Sequence, residues 1–204
     1  GWTDATGNGP AAVVPGATLT ADRHDHANAA CSVGQNAYLT VFSGAAAGVT
    51  SAYTLVAWLR WDAINSAMSC WMGKDYSQTF AAGLNSGGSE ALDHPVDAGV
   101  VRCMKAYVGG VATNFVGGAD FTCGTGRWYH VAVTFDDAAN VSEQYVDGAL
   151  DDSWANPRTL GANVKDIAIG RDVQYSDTFI GRLDDVGIFS RRLTPAEIAL
   201  LYGS

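Results

Sequence analysis

Between residues 52 and 61 the chain reads AYTLVAWLRW, and this run constrains the fold more than any other. With the two-residue period of a strand, Leu55, Ala57, Leu59 and Trp61 share one face, and Val56 and Trp58 share the other. Both faces carry large apolar groups, so both must be at least partly covered, as in two packed sheets. Similar runs occupy residues 36–42, 67–73, 79–85, 99–109, 127–137, 141–150, 164–171 and 179–192. Turn residues separate them every ~8–12 positions with no helical period between, the pattern of an all-β antiparallel sandwich or jelly roll. The clearest hairpin joins RWYHVAVTFDD to VSEQYVDGAL, and the second run ends in the tight-turn pair Asp147-Gly148. The first 31 residues show little periodicity. No repeat, linker or break in composition divides the chain, so a single domain over residues 1–204 is expected.

One helix is predicted, at the end of the chain. In LTPAEIALLYG, Thr194 is placed to cap, Pro195 to open the first turn and Glu197 to complete a capping box. Leu193 can staple onto Ile198, and Gly203 is a natural stop. This predicts a short helix at about 195–202 that pins the last strand to the body.

Just before it, the strand pattern GRLDDVGIF contains adjacent carboxylates. Alternation would put Asp184 on the face of Val186 and Ile188, with Asp185 opposite and solvated or paired with Arg182 or Arg191. An inward carboxylate without a partner is costly. The net charge of −9 makes nucleic acid and anionic membranes poor partners and favours cations. No apolar run reaches the ~20 residues that would cross a bilayer. Gly1 opens no signal-peptide pattern, as expected of a cytosolic chain or of a trimmed extracellular one.

Four cysteines, at 31, 70, 103 and 123, are too widely spaced for a C-x-x-C metal knuckle. Two disulfides in a secreted or extracellular domain is the favoured reading, against free buried thiols. Three connectivities are open. Cys70–Cys103 is favoured because both lie in mid-chain segments that could be neighbouring strands, which leaves Cys31–Cys123.

Four segments, YTLVAWLRW, GRWYHVAVTFDD, QYVDGAL and GRLDDVGIFSRRLTPAEIALLY, together resemble the laminin-G-like (concanavalin A-like) jelly-roll family. The opening DATGNG resembles the start of many such domains, and the likeness runs over about residues 4–203. Residues 62–125 depart most from it. The resemblance implies an antiparallel sandwich of about 12–14 strands. It also implies a structural calcium between the opening segment and the last strand, for which Asp4, Asn8 and Asp184 are the candidate ligands; the alternative is that loop N–H donors alone meet Asp184. Members of the family mostly bind glycans or proteins, while some relatives on the scaffold are glycanases or lyases.

The expected function is therefore non-catalytic recognition of a glycan or polysaccharide, with an extracellular protein as the alternative partner. Trp71, Tyr76, Trp154 and Tyr175 lie in or near loops and are the candidate sugar-stacking platform; each could instead plug an end of the sandwich. Catalysis lacks parts: glycoside hydrolysis needs two facing carboxylates, and the only glutamates are Glu90, Glu143 and Glu197. His130 reads as a hydrogen-bonded core residue rather than a catalyst. His24 and His26 belong to an exposed polar loop rather than a zinc site, and His94 to a turn. Asp172 and Asp177 read as solvated loop residues rather than a second metal rim.

Overall fold

The computed structural model describes residues 11–13, 16–41, 51–63, 68–74, 80–85, 100–101, 104–108, 111–115, 119–122, 124–155, 160, 165–172 and 178–204. Among these residues, strands β1 to β8 are Ala11–Val13, Thr18–Thr20, Ala30–Val33, Leu39–Val41, Ala52–Ala63, Met68–Gly73, Phe80–Asn85 and Val100–Val101. Strands β9 to β16 are Met104–Val108, Val111–Phe115, Phe121–Thr122, Tyr129–Asp136, Val141–Val146, Ala149–Ala155, Ile167–Ile169 and Ile180–Phe189, followed by helix α1, Pro195–Tyr202.

They build two seven-stranded antiparallel sheets and one two-stranded ribbon, β11-β8. One sheet has the order β1-β4-β15-β6-β7-β9-β10 and the other β14-β13-β12-β5-β16-β3-β2. The all-β sandwich with one terminal helix is thus as expected, with more strands than expected. The additional ones are short or polar. β1 and β2 lie within the weakly periodic opening segment, the run at 99–109 is broken into β8 and β9, and β14 (ALDDSWA) lies on a sheet edge where neither face is fully covered. A strand with little to bury has no apolar alternation by which to be recognised.

The core lies between the sheets. Leu55, Ala57, Leu59 and Trp61 of β5 are fully buried in it, beside Tyr129, Val131, Val133 and Phe135 of β12. Trp61 meets Phe121, Tyr129 and Phe179 edge-on at ring separations of 5.5, 6.0 and 5.3 Å.

The outer face of the second sheet is covered too, by the chain's own tail. Thr54 on this face accepts from the Leu193 N–H at 2.9 Å and donates to the Arg191 carbonyl at 2.9 Å. Leu193 and Ile198 are buried there with Val56, Ala132 and Tyr145. The capping box forms as predicted: Thr194 Oγ1 accepts from the Glu197 N–H, and Glu197 Oε2 accepts from the Thr194 N–H at 2.8 Å. Asp147 and Gly148 both take positive φ, 49° and 80°, in the β13–β14 turn. A Cβ on Gly148 would come within 2.9 Å of Tyr202, so the turn residue is also where the helix seats.

Candidate functional site

The partner of Asp184 is Arg23. Strand β16 is bulged between Asp184 and Gly187, where Asp185 takes φ 45°. Before the bulge Leu183 pairs with Leu59 and Asp184 with Trp58; after it Gly187 pairs with Val56 and Ile188 with Leu55. Val186 and Ile188 therefore pack on the core, while Asp184 sits on the outer face with Trp58. The expectation that Asp184 shares their face is overturned, because one extra residue in a strand reverses the alternation.

Asp184 is nonetheless buried, at 5% exposure. Arg23 Nη1 donates to its Oδ2 at 2.8 Å, and the Asp185 N–H donates to its Oδ1 at 3.0 Å. The same guanidinium donates to Asp185 Oδ2 at 2.6 Å and to the Ser204 carbonyl at 2.7 Å, and lies 4.7 Å over the Trp58 ring. Asp185 is thus partnered by Arg23, not by Arg182 or Arg191; Arg191 instead grips Glu197 at 2.6 and 3.0 Å. That fork, with the Thr194 donors, holds Glu197 down at about 2. Burial, then the neighbouring charge of Asp185, raises Asp184 above the usual carboxylate range, with Arg23 acting against both.

Of the expected calcium ligands, only Asp184 lies among the described residues. Asp4 and Asn8 lie outside the described residues, and both Asp184 oxygens already hold donors. The Arg23 guanidinium at 2.8 Å already supplies a counter-charge for the buried Asp184 carboxylate. No group of three or more candidate ligands converges among the described residues.

The outer face also holds His130 and Glu143. His130 is 1% exposed, set edge-on to Trp58 at 5.4 Å and tilted to Tyr202 at 5.8 Å. Burial drives its pKa down to about 4, so the ring is neutral near pH 7, and its Nδ1 has no partner among the described residues. It is a core residue as expected, but at this ring nitrogen not a hydrogen-bonded one. Glu143 is 8% exposed and binds Arg192 at 2.6 and 3.2 Å, the Tyr145 hydroxyl at 2.9 Å and the Thr134 hydroxyl at 3.3 Å. Both described glutamates are therefore committed to structure; Glu90 lies outside the described residues.

His24 and His26 are exposed, as read, while Asp22 and Arg23 of the same DRHDH loop are half-buried. Asp22 is its organiser: its Oδ1 accepts from the His24 and His26 N–H groups at 2.8 and 2.9 Å. Asp172 departs from expectation, being buried at 3% exposure rather than solvated; Asp177 and His94 lie outside the described residues. Cys31 is a free thiol in the core, where burial raises its pKa to about 11, so the expected Cys31–Cys123 bridge is absent. It packs as a small apolar side chain beside the sheet interior. Cys103 and Cys123 lie outside the described residues, and the Cys70 sulfur is buried 3.3 Å from the Met72 carbonyl.

Of the aromatic platform, Trp71 is wrongly placed by the sequence reading. It is fully buried in the core, because the β6 bulge beside it turns the indole inward. Tyr76 and Tyr175 lie outside the described residues. Trp154 is 51% exposed on edge strand β14. The same strand carries Leu150, 54% exposed, at the rim of a hollow of about 330 Å³. Arg127, Asp120, Asp147 and Asp151 also line it. Arg127 lies 4.4 Å over the Tyr129 ring and donates to Asp147 at 3.2 Å. Asp151 accepts from the Ala119 N–H at 3.0 Å and from Gln144 Nε2 at 2.7 Å.

Sequence reasoning missed Arg23, Arg127 and Leu150. Arg23 had one available signal, as a cation in the otherwise acidic DRHDH segment. The other two carry none, since an Arg and a Leu flanking a hairpin are ordinary until the hairpin is closed.

The family model of the concanavalin A-like lectin/glucanases superfamily matches residues 33–199. No curated protein matches in sequence. Among solved structures, domain 4 of AbnA, a GH43 extracellular arabinanase from Geobacillus stearothermophilus in complex with arabinotriose, is similar at TM-score 0.72 and 15% identity. That match covers 98% of this chain and 92% of that one. The binding domain of Paraclostridial Mosquitocidal Protein 1 is similar at TM-score 0.70 and 15% identity, over 96% of this chain and 47% of that one. The binding domain of Botulinum Neurotoxin DC in complex with SialylT is similar at TM-score 0.63 and 15% identity, over 97% and 47%. At such identity these neighbours show the fold alone.

Proposed function

This chain belongs to the concanavalin A-like lectin/glucanase superfamily, and from that premise we propose that it is a non-catalytic domain that binds a glycan or polysaccharide. The observation that carries this reading is the likeness to the arabinanase domain with arabinotriose, which takes in 98% of this chain and 92% of that one. The two share one fold over nearly the whole of both chains.

Two features of the chain support it. Trp154, half-exposed on an edge strand, offers the flat apolar face on which sugar rings stack. Among the described residues, two of the buried carboxylates are held by arginines: Glu143 by Arg192, and Asp184 by Arg23. A general acid must be free to give its proton to the leaving group, and neither of these is. An extracellular setting is part of the proposal, though the absence of the Cys31 bridge removes one argument for it.

The test is to screen the purified domain against a broad glycan panel and to incubate each ligand that binds with excess protein. Retention of at least one saccharide without turnover is the expected result. Failure to retain any saccharide, or release of shorter sugars, overturns the reading.

A further inference from the structure

We propose that the hollow beneath the β13–β14 hairpin is the saccharide site, and that it takes neutral or amino sugars in preference to acidic ones. This rests on the glycan-binding reading above and adds to it a place and a charge class.

The wall is built for a polyhydroxylated ligand. Sugar hydroxyls both donate and accept, so a site for them needs fixed groups of both kinds. Asp120, Asp147 and Asp151 supply acceptors, and Arg127 supplies a planar fork of donors. These groups are not loose. Tyr129, fully buried, supports the guanidinium from below at 4.4 Å, while Asp147 holds its edge at 3.2 Å. Asp151 is braced by Ala119 and Gln144. Polar groups held in place before binding lose little freedom when the ligand arrives.

Leu150 supplies the apolar element. At 54% exposure it stands beside the polar wall, where the C–H face of a ring can cover it. The cavity volume of about 330 Å³ falls at the small end of ligand pockets and suits one or two sugar units rather than a buried polymer. The opening lets the remainder of a chain run out along the surface.

The sign of the charge then selects. Three carboxylates face one arginine, so the hollow has a formal charge of −2, within a chain of net charge −9. A uronate or sialate placed there would meet like charge at short range, whereas a neutral sugar would not and an ammonium group would be attracted.

The test measures binding of arabinotriose, cellotriose, chitotriose, chitosan trimer, trigalacturonate and sialyllactose to the wild-type chain and to Leu150→Ala and Arg127→Ala. Leu150 is exposed and outside the core, so its variant folds even if loss of the Arg127 pair loosens the hairpin. A thermal melt checks both. The expected result is binding of a neutral or amino sugar that is weakened at least five-fold by Leu150→Ala. Two outcomes overturn the proposal while leaving the glycan-binding reading in place: loss smaller than five-fold in Leu150→Ala, or preference for trigalacturonate or sialyllactose. No binding of any of the six, nor of any member of the broad glycan panel, overturns both.

Discussion

The two faces of the sheet β14-β13-β12-β5-β16-β3-β2 are buried by different means. The inner face is covered by another sheet and filled with Trp61, Tyr129, Val131, Val133 and Phe135. The outer face is covered by residues 191–204, and among the described residues a smaller cluster of five buried side chains lies there, Leu193 and Ile198 included. Beside it lie the Trp58–Tyr202 stack and several polar groups: Arg192 on Glu143, Arg23 on Asp184, and a neutral imidazole. Apolar packing tolerates approximate partners, because its strength follows the area removed from water. A buried charge needs one particular partner, and losing that partner leaves a desolvated ion. The inner face should thus respond to lost volume, and the outer face to lost partners and to pH.

The largest effect is expected on the inner face. Trp61→Ala removes the ring on which Phe121, Tyr129 and Phe179 converge, and should cost about 4 kcal/mol. Denaturant melts at pH 5 and 7 should give the same loss; a loss that changes with pH would break the contrast between the faces.

His130 provides the next. Its folded pKa of about 4 lies below the ordinary 6.5, so between these values the unfolded chain binds the proton and the folded chain does not. Stability then falls as the pH drops from 6.5 to about 4, by on the order of 3 kcal/mol in all, because each tenfold difference in proton affinity is worth ~1.4 kcal/mol. A stability–pH curve should show this slope, and His130→Gln should flatten it. A variant as steep as the wild type would place the titration elsewhere.

Arg192→Ala should cost about 2–3 kcal/mol, since Glu143 keeps two hydroxyl donors but loses its counter-charge. Replacing both, as Glu143→Met with Arg192→Met, should cost less than the sum of the single losses. Additive losses in this double-mutant cycle would mean that the pair is not acting as a unit.

The smallest expected loss is for Arg23→Ala, about 2 kcal/mol at pH 7. Asp184, already raised by burial, would be raised further once Arg23 is gone. An acid with a raised folded pKa costs stability when ionised, and that cost is relieved as the pH falls through the folded value. The Arg23→Ala deficit should therefore shrink from pH 7 to pH 4. Adding a chelator should leave the Asp184→Ala deficit unchanged; a deficit that vanishes with chelator would reinstate a metal at Asp184.

What the sequence by itself determined was whatever depends on neighbours in the chain. The capping box of Thr194 and Glu197 joins residues three apart, and the Asp147-Gly148 turn needs only residues that accept positive φ. The buried strand Ala52–Ala63 announces itself by apolar groups on both faces, and with these the sandwich follows. The candidate site was not legible in the same way. Trp154, read as lying in or near a loop, stands half-exposed within strand β14, while Trp71, of the same local character, lies in the core beside a bulge. Asp184 changes faces at the bulge in β16. Its partner, Arg23, is 161 residues away, and Glu143 meets Arg192 across 49. Pairings of this kind are decided only by tertiary structure, because a charge selects its partner by distance in space, and the packing of the sheets sets that distance.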